Sequence, residues 1–400
     1  MDEVAIKDID SIMYSEGKIY MLSSCIPIVM VYDFDKKRVE KLCNYPRGVN
    51  ERKAFERMVK YGTKLYLFPC YADGIYYFDL ELQRYTKLVS LHSIEKNFPN
   101  RKFFEIVVFG ELIYAVCRAP NLVIGINPKD DSIQIWDLNQ EIQISDKIIL
   151  ANFSVCVSEN SLLYPCSTDM VIKFNIDDKN YEVTHLIRED EFYDEKYKCL
   201  MGMTMNDTGK RWVYDWYGSV YEIINNKMVK ITMPPELEGV YNDGVYTEET
   251  RISGILSNKD QLYVVLNSDK RILVYDIDTN SFTWIDNIVR SWKALRRKEA
   301  YITYTYVQKN IFLLYDYNDG MIHVLDLKDG FGEIIELCML VEDITKDNYL
   351  WEYWKGIIFS QEDLVSYMKY LWKISDTEIK RDNNCFGERI HTALIKEYTE

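Results

Sequence analysis

Four cysteines stand at matching distances ahead of a recurring polar residue, and cysteine at regular spacing raises the question of metal chemistry. Cys25, Cys70, Cys117 and Cys166 lie 8, 9, 10 and 9 residues before Asp33, Asp79, Asn127 and Asn175. A zinc ion needs its thiolates about 2.3 Å away. Equivalent points on neighbouring packed sheets are separated by about 10 Å or more. One ion cannot gather ligands from four such points, so the cysteines read as an echo of a repeated position and no metal is expected. Nine cysteines occur in all, with no C-x-x-C pair. The chain opens MDEVAIKDID, which lacks the basic and then apolar pattern of a secretory leader. Reduced, mostly buried thiols are the expectation.

A second candidate is Asp276-Ile-Asp278-Thr-Asn280, which has the opening spacing of a calcium loop. Its sixth position is Ser281 and its twelfth is Asn287, where such a loop needs Gly and Glu. It reads as a turn. The histidines, His92, His185, His323 and His391, form no H-E-x-x-H. His323 falls within a strand and reads as packed. No nucleophile elbow, Walker loop or dinucleotide glycine motif is present. No catalytic residue and no cofactor are therefore expected.

The elements that carry these residues form a repeat. Seven anchors, Asp33, Asp79, Asn127, Asn175, Glu222, Asp276 and Asp326, are separated by 46, 48, 48, 47, 54 and 50 residues. Tyr20, Tyr66, Tyr114 and Tyr263 each precede their anchor by 13 residues, and Tyr164, Trp212 and Phe312 do so by 11, 10 and 14. Within a unit, short runs rich in Tyr, Ile, Val and Phe alternate with polar turns, as strands require. The second unit supplies AFERMVKYG, KLYLFPCY, GIYYFDL and RYTKLVSL. Four antiparallel strands at this period match the blade of a β-propeller, in which packing blade on blade leaves only short edges.

The expected fold is thus all-β, a seven-bladed β-propeller over residues 1–338. Its blades run at about 5–44, 54–92, 103–142, 148–187, 198–234, 250–288 and 299–338. A C-terminal helical extension is expected over 339–400, with Ser360 as an N-cap and Leu364, Val365, Met368, Leu371 and Trp372 at helical spacing. MPPELEGVYNDGVYTEET, between the fifth and sixth anchors, reads as a long exposed loop.

The stretch LYVVLNSDKRILVYDIDTNSFTWI resembles a kelch repeat, with Tyr275, Asp276, Thr279, Asn280 and Trp284 on or beside the pattern. The Gly-Gly pair of that family is missing. The resemblance implies a propeller that chiefly binds partners.

A net charge of −15 argues against nucleic-acid binding, which depends on counterion displacement by Lys and Arg, and disfavours anionic membranes. No apolar run reaches the roughly 18 residues of a membrane span, and a cytoplasmic location is expected. The loops between second and third strands carry Tyr71, Asp73, Arg118, Asp215, Trp216, Tyr217, Asp316 and Tyr317. Flat rings beside acids and an arginine suit recognition of a protein partner or a glycan. The leading expectation is a non-catalytic binding or scaffold protein. The alternatives are a lyase or hydrolase acting on carbohydrate or peptide with carboxylates from several blades, and a carbohydrate-binding propeller.

Overall fold

The computed structural model describes residues 3–5, 9–23, 27–49, 54–91, 103–117, 122–137, 156–158, 160–166, 169–188, 199–215, 218–234, 252–266, 272–285, 302–306, 311–316, 321–326 and 331–340. After a short strand β1 (Glu3–Ala5), each repeat contributes one antiparallel meander. The first comprises β2 (Ile9–Ser15), β3 (Lys18–Ser23), β4 (Ile28–Asp33) and β5 (Arg38–Asn44). The second comprises β6 (Phe55–Tyr61), β7 (Lys64–Pro69), β8 (Gly74–Asp79) and β9 (Arg84–Ser90). The third has β10 (Phe103–Phe109), β11 (Leu112–Cys117), β12 (Leu122–Ile126) and β13 (Ile133–Asp137). The fourth has β14 (Cys156–Ser158), β15 (Ser161–Cys166), β16 (Met170–Asn175) and β17 (Asn180–His185).

The fifth sheet departs from this plan. A two-residue strand, β18 (Ile187–Arg188), precedes β19 (Leu200–Met205), β20 (Arg211–Asp215), β21 (Val220–Ile224) and β22 (Lys227–Lys230), and joins their sheet by pairing parallel with β22. The sixth sheet is β23 (Ile252–Ser257), β24 (Gln261–Leu266), β25 (Ile272–Asp276) and β26 (Ser281–Ile285). The seventh is β27 (Ile302–Tyr306), β28 (Ile311–Asp316), β29 (Met321–Asp326) and β30 (Phe331–Glu336). A last strand, β31 (Cys338–Leu340), pairs antiparallel with β1, Glu3 opposite Leu340 and Ala5 opposite Cys338.

The chain divides into two compact units, Lys7–Leu337 and a second that joins Met1–Ile6 to the chain from Cys338 onward. Within Lys7–Leu337 the burial pattern explains the composition. Second strands are buried on both faces after their first residue, as in KIYMLS and QLYVVL, so they are continuous apolar runs. Fourth strands such as NYEVTH face water on one side and alternate. Apolar cores lie between consecutive sheets. Tyr20 packs with Leu65 and Leu67 of the second sheet, Tyr66 with Ile113 and Ala115 of the third, and Trp212 with Leu262 and Val264 of the sixth. The recurring aromatic is thus the residue that fills the space between one sheet and the next.

The recurring polar residue has a different use. Asp33, Asp79 and Asn175 accept backbone N–H groups two and three residues ahead, at 2.9–3.4 Å. Asp276 accepts the N–H and hydroxyl of Thr279 at 2.8 and 2.7 Å. These are Asx turns between third and fourth strands, which bears out the reading of 276–280 as a turn. Glu222 heads no such turn. Its hairpin closes through Asn225 and Asn226, both at positive φ (52° and 63°), the two-residue connection that matches strand twist.

First strands pack side by side, β2 against β6, β6 against β10, β19 against β23, β23 against β27 and β27 against β2. The expected seven-bladed propeller is nevertheless corrected. Among the described residues the strands form eight separate hydrogen-bonded sheets, and none closes on itself. One sheet has five strands because β18 crosses into it, and β1 leaves the first repeat to pair with β31. Uniform four-stranded blades would need every strand to pair inside its own repeat, and these two do not. Over the described residues the fold is an all-β array of sheets, antiparallel except where β18 joins β22. The helical extension expected at 339–400 lies, beyond Leu340, outside the described residues, as does the acidic loop after Pro234.

Candidate functional site: the bulged end of the sheets

Five of the seven first strands carry a β-bulge directly after their first described residue. Asp10, Glu56, Phe104, Met201 and Ser253 are the extra residues, set against Ser23, Pro69, Cys117, Asp215 and Leu266 at the ends of second strands. A bulge bends its strand and re-aims side chains, and bulges concentrate beside functional sites. Here they fall at the same end of each sheet as the loops between second and third strands.

In the second sheet that loop is held rigidly. The carbonyl of Ala54 accepts the N–H groups of Cys70, Tyr71 and Ala72 at 2.9, 3.2 and 2.9 Å. Asp73 accepts the hydroxyl of Tyr76 at 2.7 Å and the ammonium of Lys87 at 2.6 Å, while its carbonyl accepts the N–H of Leu91 at 2.9 Å. Burial opposes ionisation of Asp73, but the Lys87 and Tyr76 hydrogen bonds outweigh it and hold the carboxyl below its usual range. Lys87 also lies over the Tyr76 ring, 5.6 Å from its centroid. This framework leaves Tyr71 51% exposed at the loop tip.

Asp215, a loop-face residue in the sequence, has another position. It is fully buried, and its Oδ2 accepts Arg188 Nη2 at 2.5 Å and the Tyr221 hydroxyl at 3.1 Å. Its Oδ1 accepts the N–H of Ser219 at 2.9 Å, and its carbonyl accepts that of Gly218 at 3.0 Å. Burial raises its pKa, against the lowering influence of Arg188. A carboxylate so enclosed braces its loop and presents nothing to a partner. Of the other expected residues, Arg118, Trp216, Tyr217 and Tyr317 lie outside the described residues. Asp316 closes β28, opposite Ile302, and its side chain is likewise not described.

The structure adds residues that the sequence did not single out. Glu56 Oε1 accepts the N–H of Phe103 at 2.6 Å, tying the second sheet to the third. Two residues on, half-buried Glu105 has its carboxyl pushed up to about 7 by burial, with Arg57 and the Ile106 N–H pulling the other way. Their only signal in the sequence is charge inside a first strand, as with Glu56, Arg57 and Lys60 in AFERMVK and Glu105 in FFEIVVF.

Of the repeated cysteines, Cys70, Cys117 and Cys166 are core residues. Cys117 and Cys166 are buried, and burial holds the Cys117 thiol well above its ordinary value and pushes that of Cys166 up to about 12. Such thiols are neutral and unreactive. Among the described residues no group of three His, Cys, Asp or Glu side chains is placed to hold a metal ion. Cys25, His92 and His391 are outside the described residues. His323 is buried, and His185 lies exposed 3.8 Å from Asp169.

No protein-family model matches the chain, and no curated protein matches it. Solved structures do. A streptogramin B lyase is 13% identical, with a TM-score of 0.51 over 83% of this chain and 96% of that one. The extracellular domain of a putative hybrid two-component system from B. thetaiotaomicron is 11% identical, with a TM-score of 0.49 over 82% of this chain and 40% of that one. BamB from Moraxella catarrhalis is 8% identical, with a TM-score of 0.47 over 79% and 84%. At such identities the likeness is one of fold. The kelch resemblance goes no further than a β-rich repeat fold: no family model matches, and in the sixth repeat, its best match, Asp276 and Thr279 make the Asx turn that any such connection favours. The expected cytoplasmic location is also withdrawn, because an all-β array carries no address. What stands is a β-rich repeat fold, with a likeness of fold alone to the streptogramin B lyase.

Proposed function

We propose that the chain is a non-catalytic binding protein that engages a protein partner through the bulged end of its sheets, with Tyr71 as an anchor. The observation that carries the reading is the rigid presentation of Tyr71. Three N–H groups converge on Ala54, and Asp73 is held by Tyr76 and Lys87, yet the ring between them stands half in water. An aromatic displayed on a stiff loop loses little conformational entropy on binding, which is how interface anchors gain affinity. Trp216, Tyr217 and Tyr317, with Arg118 and Asp316, belong to the same set of loops and are assigned to the same surface. A glycan is the other ligand class suited to such rings.

The test is affinity capture from the source organism's extract with wild-type protein, Tyr71→Ala and the Trp216→Ala/Tyr317→Ala pair, each checked for folding. One defined partner retained by wild type and lost by the variants supports the reading. A partner retained by all three forms moves the surface elsewhere, with the 339–400 segment first in line.

One observation favours a second reading. Glu105, with its carboxyl near 7, has the protonation behaviour of a general acid. The chain would then be a lyase or hydrolase on carbohydrate or peptide, a class in which the streptogramin B lyase offers a likeness of fold only. Turnover of a glycan or peptide library that Glu105→Gln abolishes would replace the binding reading.

A further inference from the structure

We propose that β18 is a strap that holds Asp215 in its hydrogen bonds with Gly218 and Ser219, with Arg188 as the positioning residue that transmits its state. The inference rests on the binding reading for its consequence, since the Asp215–Ser219 loop bears Trp216 and Tyr217, and on geometry for its substance.

β18 follows the fourth meander but pairs with the outer strand of the fifth, and it is the only parallel pairing among the described residues. Its backbone hold is slight. Ile187 N–H donates to Asn226 O at 2.7 Å, and only two residues enter the ladder. Ile187 itself is 53% exposed, so its side chain adds little. The grip comes from Arg188, whose side chain is only 9% exposed and whose guanidinium lies over the Tyr221 ring, 4.9 Å from its centroid. The same guanidinium donates to the Tyr221 hydroxyl at 2.6 Å and to Asp215 at 2.5 Å.

Asp215 then closes the loop from within. Its N–H donates to Ser219 O at 3.0 Å, its carbonyl accepts Gly218 N–H, and its Oδ1 accepts Ser219 N–H. If β18 undocks, Asp215 is left as a buried carboxylate without its counter-charge, which strongly destabilises its enclosed position. The loop must rearrange so that water or a proton reaches the carboxylate. Strap and loop are therefore two ends of one equilibrium, and by linkage whatever stabilises one stabilises the other. A ligand that holds the loop tightens β18, and one that lifts β18 loosens the loop.

Amide hydrogen exchange on the full chain tests this without any partner. Ile187→Pro removes the strap's backbone donor and leaves the Arg188–Asp215–Tyr221 network chemically intact. Gly218 and Ser219 should then exchange about tenfold faster, as they should in Arg188→Leu, while the 272–276 strand of the sixth sheet keeps its protection as the control for folding. Should Ile187→Pro fail to fold, Ile187→Gly weakens the strand while keeping its N–H, and the same acceleration is expected. Faster exchange in Arg188→Leu with no change in either Ile187 variant would overturn the strap, leaving Arg188 a local brace. Partner capture by Trp216→Ala reports separately on the binding surface, so the two ideas fail independently.

Discussion

Glu56, the extra residue of one bulged strand, accepts the backbone N–H of Phe103 on the next sheet at 2.6 Å. A carboxylate on a bulge thus joins two sheets that share no ladder. Replacing it with alanine leaves a partly buried N–H without this acceptor, and hydrogen bonds to charged groups are worth about 1.5–3 kcal/mol. Glu56→Ala is expected to lower the urea-derived stability by about that amount. Glu56→Gln keeps an acceptor and is expected to lose less than half as much. Equal losses from both would show that charge, not the hydrogen bond, matters there.

Glu105 gives the fold a pH dependence of unusual sign for a carboxylate. Its pKa rises from 4.5 to about 7 on folding, chiefly through burial and against Arg57. The folded chain binds that proton more tightly than the unfolded chain. The contribution is fully present below 4.5 and is lost as pH rises towards 7 and beyond. Urea midpoints for wild type and Glu105→Gln should therefore diverge between pH 4.5 and 8. Wild type is expected to lose on the order of 1–2 kcal/mol relative to the variant across that window. Parallel pH profiles would place the Glu105 carboxyl in water.

Gly125 occurs where a side chain has no room. A Cβ there would meet the Trp136 ring at 2.8 Å, and Trp136 stacks on Tyr114 with centroids 6.2 Å apart at 27°. Tyr114 in turn meets Phe174 of the fourth sheet. Gly125→Ala must push Trp136 off Tyr114, and overpacking of this kind costs about 1–3 kcal/mol. Thermal unfolding of Gly125→Ala should begin several degrees lower. An unchanged transition would mean that the ring has space to retreat.

These residues show which parts of the molecule were legible beforehand. The strands were, because a sandwiched second strand such as KIYMLS and a half-wet fourth strand such as NYEVTH have different and regular patterns. Turns headed by Asp33 and Asp276 were legible because Asx chemistry is local. Bulges were not. An extra residue shifts the alternation by one, and the sequence around Glu56 shows only charge in a strand. The Arg188–Asp215 pair was hidden for a further reason: β18 crosses to a sheet built from later residues, and no spacing records that crossing. Asp215 looked like a binding residue because its neighbours Trp216 and Tyr217 are aromatic, whereas its burial depends on a partner 27 residues upstream.

The loop that carries Tyr71 allows rigidity to be separated from charge. Asp73 has two side-chain partners of unequal worth. Its bridge to Lys87 is open to water, with both side chains a third or more exposed, and such pairs contribute about 0–1 kcal/mol. Its bond from Tyr76 lies against the core that holds Phe55 and Phe78. Lys87→Met is therefore expected to change stability by less than about 0.5 kcal/mol and to leave binding through Tyr71 intact. Asp73→Ala removes both partners, frees the Tyr76 hydroxyl from its acceptor and should cost about 1–2 kcal/mol. It should also weaken partner binding although Tyr71 is still present, because the ring must then be ordered at the moment of contact. Calorimetric titration with the captured partner distinguishes the cases. A larger entropic penalty in Asp73→Ala than in Lys87→Met locates the affinity in the stiffness of the loop, and equal penalties would place it in charge alone.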